Sequence, residues 1–377
     1  MEQKIILTDS SYTGLIEYIQ QYKLKKILLV CEKIINLLQI GNFLISNAGK
    51  IGFDIILFSD FQPNPSYESV VKGVKLFHQK HCDCIFAIGG GSAMDVAKCI
   101  KLYSNMNPNK NYLHQKIIPN DVKLLVAPTT AGTGSEATRF AVIYYNGEKQ
   151  SVTNDSCIPS AVFIDASALK TLPEYQRKAT MLDAFCHAIE SFWSVNSTEE
   201  SKLFSKEAIT MILSNMDGYL KNKWEQNAAM LCAANLAGKA INITQTTAGH
   251  AMCYKLTSMY GIAHGHAAAL CVRILWRYMI DNTALCTDPR GKEYLENVFA
   301  EIADAMGCMD AREAAEKFYN IYDELGLKIP DHRATDFDIL ISSVNPVRLK
   351  NNPIALTADA IELLYWQILR KLPVYFK

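Results

Sequence analysis

The chain has no surplus of charge: 38 lysines and arginines balance 38 aspartates and glutamates. Without a net field there is nothing to gather nucleic acid or an anionic membrane from a distance, so those partners are set aside. Long apolar runs are missing as well. No segment reaches the roughly 18 apolar residues of a membrane-spanning helix, and Met1-Glu2-Gln3-Lys4, followed by a few apolar residues before Asp9, lacks the core of a secretory leader. A cytoplasmic protein is expected. Cysteine pairs at zinc-site spacing are absent too. The 11 cysteines scatter through segments such as Leu231-Cys232-Ala233 and Leu270-Cys271-Val272, where a thiol acts as a small buried hydrophobe. Cys82 and Cys84 have no second pair behind them and read as structural. Histidine is scarce, with eight in the chain, so where it falls carries weight.

What is present describes a folded globular protein, 49% hydrophobic and 20% charged. At about 100–200 residues per domain, 377 residues make two domains. Up to Leu172, short β-branched runs alternate with helical patterns: strands are expected at residues 26–30, 54–58, 84–88, 123–127 and 161–165, with helices through 34–48 and 67–80. Such alternation predicts a doubly wound parallel sheet. From residue 173 to 377 helical periodicity dominates, so the expected architecture is an α/β nucleotide-binding domain over 1–172 and an all-α domain over 173–377. Ser197-Thr198-Glu199-Glu200 reads as a capping box, with Ser197 and Glu200 satisfying free backbone N–H groups.

Directly after the strand ending at Ile88 comes Gly89-Gly90-Gly91-Ser92-Ala93-Met94-Asp95, running into a helical pattern. Bare backbone at a helix N-terminus favours a pyrophosphate, although a tight turn without a ligand fits three glycines equally well. Pro128-Thr129-Thr130-Ala131-Gly132-Thr133-Gly134-Ser135 also follows a strand and adds hydroxyls at the same sheet edge. Glu32, just past the strand 26–30, could accept from a ribose 2′-hydroxyl and would repel a 2′-phosphate, favouring NAD over NADP; a solvated loop charge is the competing reading.

Asp183 and His187 stand four apart, on one face of a helix, in MLDAFCHAIE. Downstream, His250, His264 and His266 fall in apolar, glycine-punctuated sequence, where an imidazole without a partner is costly to bury. A carboxylate with imidazoles suits Fe2+ or Zn2+ better than Mg2+ or Ca2+, and a shell without cysteine points to a catalytic ion.

Taken together, GGGSAMDVAK, PTTAGTGSEATRFAVI, IPSAVFIDASALKTLP, DAFCHAIESFWS and GHAMCYKLTSMYGIAHGHA resemble the iron-containing alcohol dehydrogenases in order and spacing, over roughly residues 5–375. The resemblance implies metal ligands at Asp183, His187, His250 and His264. It implies pyrophosphate contacts at Gly90, Gly91 and Ser92, with Asp95 in the same motif, and nicotinamide or ribose contacts near Thr129, Thr130, Thr133, Ser135 and Lys149. Many members carry a proton-relaying histidine where this chain has Tyr254, so Tyr254 or His266 is the proton-handling candidate, His266 alternatively a support behind the ligands. The activity implied is hydride transfer between NAD(H) or NADP(H) and a small aldehyde or primary alcohol, in a homo-oligomer, with a dimer as the expected state. The wording GHAMCYKLTS with GIAHGHAAAL is similar to a branch that reduces phosphonoacetaldehyde, for which Arg139, Lys239 and Lys255 are candidate substrate cations. A dehydroquinate synthase-type lyase, with the same architecture and cofactors, is the rival that fold alone does not exclude.

Overall fold

The computed structural model describes residues 3–370. Compactness divides the chain into two units, one running through Leu172 and including Lys221–Asn235, the other comprising Pro173–Leu220 and the chain from Leu236 onward. A single cut after residue 172 does not express this return: 221–235 groups with the α/β unit although the cut assigns it to the helical half.

The α/β unit contains strands β1 (Lys4–Leu7), β2 (Lys26–Cys31), β3 (Asp54–Phe58), β4 (Cys84–Gly89), β5 (Lys123–Pro128), β6 (Phe140–Tyr145), β7 (Glu148–Thr153) and β8 (Ala161–Ile164). Six of them form one parallel sheet in the order β1-β8-β5-β4-β2-β3. The central strands are buried along their length because both faces are covered, which is why they read as unbroken apolar runs. Helices α1 (Thr13–Gln21), α2 (Gln39–Ile51), α3 (Tyr67–Gln79) and α4 (Gly91–Tyr103) supply the covering layers. After β2 the chain crosses outward to β3, and after β4 it crosses the other way to β5. The adjacent strands β2 and β4, with Cys31 opposite Ile88, are therefore the topological switch point, and their carboxyl ends bring Glu32 and the Gly89–Ser92 turn to the edge where open α/β sheets take ligands.

Two features of this unit are not in the sequence reading: the edge strand β1, and the antiparallel hairpin of β6 with β7. The hairpin did have a local signature. Asn146 and Gly147 both sit at positive φ, 51° and 78°, as a two-residue turn between paired strands requires.

The helical unit runs through α5 (Glu174–Trp193), α6 (Glu199–Leu220), the later part of α7 (Trp224–Thr244), α8 (Ala248–Tyr260), α9 (His264–Asp281), α10 (Lys292–Ala305), α11 (Ala311–Glu324), α12 (Asp336–Ser342), α13 (Pro346–Leu349) and α14 (Ala358–Ile368). From Met181 to Trp193, α5 is buried on every face, the mark of a helix enclosed by others. The cap of α6 is shifted by one residue from the expected box: Thr198 accepts from the Ser201 N–H at 3.1 Å and Ser201 accepts from the Thr198 N–H at 2.9 Å. The Ser197 hydroxyl instead accepts from Arg290 at 3.0 Å.

Candidate active site

In the α/β unit, α4 begins on the glycine turn with Gly90 as its N-cap. A Cβ on Gly90 would lie 3.5 Å from Thr130 Oγ1, and one on Gly91 would lie 3.3 Å from Thr133 Cγ2. Side chains there would fill the space between the turn and the threonine loop, so the bare backbone leaves a cradle that an anion can enter, facing the N–H groups of the first helical turn. The Thr129 N–H donates to the Gly89 carbonyl at 3.1 Å, closing the two loops together.

Asp95 faces inward rather than into the cradle. Its Oδ1 accepts from Ser135 Oγ at 3.0 Å and its Oδ2 from the Val142 N–H at 3.1 Å. Beside it lies Lys98, fully buried, whose ammonium donates to the Ser135 carbonyl (2.6 Å), Ser135 Oγ (3.0 Å), Thr138 Oγ1 (3.1 Å) and the Phe140 carbonyl (2.7 Å). Burial pushes the Asp95 carboxyl up and the Lys98 ammonium down, and each charge partly offsets the other's shift. These residues hold the Thr129–Ser135 loop in place. Lys149 is exposed on β7 opposite Tyr144, and its charge helps lower Asp95. Glu32 is exposed.

In the helical unit, ligand atoms of Asp183, His187 and His250 lie within 4.8 Å of one another, and all three residues are buried. The helix α5 supplies the first two from one face. The helix α8 supplies His250, whose ring stacks on that of His187 with centroids 4.5 Å apart. Glu190, one more turn along the same face of α5, is fully buried and collects four hydrogens: its Oε1 accepts from the Thr247 N–H (3.1 Å), Thr247 Oγ1 (2.6 Å) and the His250 N–H (3.2 Å), and its Oε2 pairs with His250 Nδ1. The carboxylate fixes the His250 proton on Nδ1 and so leaves the Nε2 lone pair aimed inward. There Nε2 meets Asp183 Oδ1 at 3.5 Å, and neither atom finds a well-formed hydrogen bond among the described residues.

With His250 neutral and its proton on Nδ1, these two atoms are opposed acceptors, an arrangement that is unfavourable unless a cation stands between them. A carboxylate oxygen with imidazole nitrogens is the donor set of Fe2+ or Zn2+, so the residues fit the ion. Without it, burial would raise Asp183, but the imidazoles of His187, His250 and His264 hold it well below the usual carboxylate range. Burial likewise opposes protonation of His250, yet Glu190 and Asp183 lift it to about 9.

His264 lies beside this set rather than within the 4.8 Å group. The helix α8 ends at Gly261, in the left-handed region at φ 66°, and the chain turns at once into α9, of which His264 is the first residue. Its ring centroid lies 5.3 Å from that of His250, and the Tyr254 ring stacks on it at 5.4 Å. The next residue, Gly265, allows close approach of α9 to α5: a Cβ there would lie 2.0 Å from the Ala179 carbonyl oxygen and 2.5 Å from Asp183 Cβ.

His266 is enclosed by tyrosines. The Ala263 N–H donates to the Tyr175 hydroxyl at 2.8 Å, which directs the Tyr175 proton to His266 Nδ1 at 3.1 Å. The Nε2 proton then goes to the Tyr322 hydroxyl at 2.9 Å, which donates to the Leu327 carbonyl at 3.2 Å. Burial, with the charge of Arg273, pushes His266 down to about 4. A neutral ring with both nitrogens engaged braces the turn that carries His264. Tyr254 is half-buried, and burial pushes its hydroxyl up to about 12, so it holds its proton at neutral pH.

The expected substrate cations are divided between the two units. Arg139 belongs to the α/β unit and pairs with Asp155 at 3.5 Å, Lys239 lies over the Phe204 ring at 5.6 Å, and Lys255 is half-exposed on α8. Glu190, Lys98 and Tyr175 support the site, and the sequence reading did not assign them. Glu190 alone had a usable local signal, since 183, 187 and 190 repeat on one helical face.

The profile described as iron-containing alcohol dehydrogenase matches residues 2–166, and that of the Fe-containing alcohol dehydrogenase family, C-terminal, matches residues 178–369. The phosphonoacetaldehyde reductase of Streptomyces viridochromogenes is 31% identical over 318 residues, 78% of each chain. A solved sulfoacetaldehyde reductase from Bifidobacterium kashiwanohense, in complex with NAD+, superposes with a TM-score of 0.85 at 23% identity, over 98% of this chain and 97% of that one. A 1,3-propanediol oxidoreductase gives 0.84 at 26% identity over 97% of both.

Proposed function

From the premise that the chain belongs to the iron-containing alcohol dehydrogenase family, we propose that it reduces a small anionic aldehyde of the phosphonoacetaldehyde type with NADH. It is a nicotinamide-linked, metal-dependent oxidoreductase acting on aldehydes and alcohols. The observation that carries the reading is the buried cluster of Asp183, His187 and His250, whose ligand atoms lie within 4.8 Å of one another.

Asp183, His187 and His250 would hold the ion, with His264 as the fourth ligand. When bound, the ion supplies Lewis-acid polarisation of a carbonyl and the reduced nicotinamide supplies the hydride. The remaining work falls to the chain. Glu190 keeps the His250 proton on Nδ1. The backbone of Gly89 to Ser92 receives the pyrophosphate, and Thr129, Thr130, Thr133 and Lys149 line the remainder of the dinucleotide path, with Ser135 and Asp95 setting the loop's position. Glu32, beside the turn at the switch point, accepts from the ribose and favours NAD over NADP. Tyr254 delivers the proton that completes the alcohol, so that aldehyde, NADH and one proton become alcohol and NAD+.

The substrate class is supported by the phosphonoacetaldehyde reductase relative, which matches 78% of the chain. A reducing, cytoplasmic setting is supported by 11 cysteines that all remain free, and no described helix is long and apolar enough to cross a membrane. A homodimer is supported by apolar side chains exposed on the edge strand β1, Leu7 foremost at 67%.

The test is NADH and NADPH oxidation by protein reconstituted with Fe2+ or Zn2+, comparing phosphonoacetaldehyde with propanal. Net NADH consumption with a strong preference for the phosphonate is expected. Equal turnover of both aldehydes would overturn the anionic substrate, and no net consumption would overturn the reductase assignment.

A further inference from the structure

The helix α13 places a guanidinium next to the aromatic edge of the metal-ligating set. Arg348 is half-buried, its Nη1 donates to Thr246 Oγ1 at 3.0 Å, and its Cζ lies 5.7 Å from the Tyr254 ring centroid. Among the described residues no carboxylate pairs with it; its other contacts are a neutral hydroxyl and an aromatic face. Tyr254 in turn stacks on His264 at 5.4 Å, and His264 lies 5.3 Å from His250. A row of ring contacts therefore leads from this guanidinium to the residues that would hold the ion.

We infer that Arg348 receives the anionic end of the substrate, a deepening that rests on the anionic-aldehyde reading. A partly desolvated guanidinium is stable when an anion completes it, and its planar fork matches two oxygens of a phosphonate or sulfonate. The bond to Thr246 occupies one Nη1 hydrogen and fixes the plane of the group, leaving the Nε and Nη2 edge to receive the ligand. A two-carbon aldehyde keeps its carbonyl and its anionic group close together. The cation that binds the anion must accordingly stand near the ligating residues, and Arg348 does so through a single intervening ring. Arg139 is engaged with Asp155, and Lys239 packs on Phe204.

Arg348 touches substrate but handles neither hydride nor proton; its charge also acts on the Tyr254 hydroxyl, so its loss should appear in KM for charged substrates over and above any change shared with uncharged ones. In Arg348→Gln, kcat/KM for phosphonoacetaldehyde should fall by about 10–100-fold more than kcat/KM for propanal, as loss of a charge-assisted hydrogen bond to the anionic end implies. Arg348→Lys, which keeps the charge but not the fork, should fall between. Calorimetric binding of ethylphosphonate to the metal-loaded protein should weaken in the same order. A phosphonate preference undiminished in Arg348→Gln overturns the assignment. So does an equal loss on both aldehydes, which would mark a structural role. A wild-type protein that prefers propanal fails at an earlier step: it overturns the anionic-aldehyde reading itself, and the role of Arg348 with it.

Discussion

Glu190→Gln changes one heavy atom in a fully buried carboxylate, and the structure dictates which atom matters. The amide oxygen keeps the place of Oε1, because three hydrogens converge there from Thr247 and His250. The amide nitrogen must then take the place of Oε2 and present its hydrogens to His250 Nδ1. If the imidazole retains its proton on Nδ1, two donors face each other in the interior, at a cost of about 1–3 kcal/mol. If it moves the proton to Nε2, that hydrogen satisfies Asp183 Oδ1, 3.5 Å away, and occupies the lone pair that would bind the ion. Either route weakens metal binding, by about 10–100-fold as for other groups supporting a ligand, equivalent to about 1.4–2.7 kcal/mol. The second route also predicts that the metal-free variant melts close to the metal-free wild type, since its acceptors become paired. The assay is metal content after gel filtration with a chelator-competition titration, and thermal unfolding of both metal-free proteins. Wild-type metal affinity in Glu190→Gln would refute the reasoning.

Other perturbations test the neighbouring features. Gly265→Ala drives a methyl to 2.0 Å from the Ala179 carbonyl oxygen. It should cost about 1–3 kcal/mol or more and shift His264 from Asp183, seen as a lower Tm and reduced metal content. Tyr175→Phe removes the acceptor of the Ala263 N–H and the donor to His266. Metal release should become several-fold faster at a cost of about 1 kcal/mol, with the overall fold retained; unchanged release would dismiss the brace. Burial raises the Glu136 carboxyl from 4.5 to about 7, so between these values the folded state holds the extra proton. Stability from this group is therefore full below 4.5 and lost as pH rises through about 7. Glu136→Gln should gain on the wild type by an amount on the order of 1–3 kcal/mol between about pH 5 and pH 8, read by urea denaturation, and a pH-independent difference would contradict it.

Much of this was legible in the sequence because it is local. The runs at β2, β4, β5 and β8 announce strands buried on both faces, and the glycine turn follows directly on one of them. Asp183 and His187 share a helical face by their spacing alone. The supports are less visible because their partners are distant: Glu190 meets His250 across 60 residues, and Lys98 meets Thr138 and Phe140 across 40 and 42. Arg348 belongs to no motif, and only folding sets it beside Tyr254. The capping of α6 shows the limit at short range, where two registers of hydroxyl and backbone were equally open to the sequence and Thr198 with Ser201 prevailed.

The helix α4 carries the glycine turn at its N-terminus, and on its flank carries Asp95 and Lys98, which grip the loop from Ser135 to Val142. The two walls of the proposed dinucleotide cradle are thus borne by one helix. Their spacing is set before any ligand arrives, so little ordering entropy remains to be lost when NADH enters. Binding should then show a heat capacity change expected from buried surface alone, without the excess that accompanies a loop folding onto its ligand. The same linkage makes the cradle a unit of inheritance: a graft of the glycine turn without Asp95 and Lys98 would transplant the proposed phosphate site and leave behind the means by which it keeps its partner loop in register.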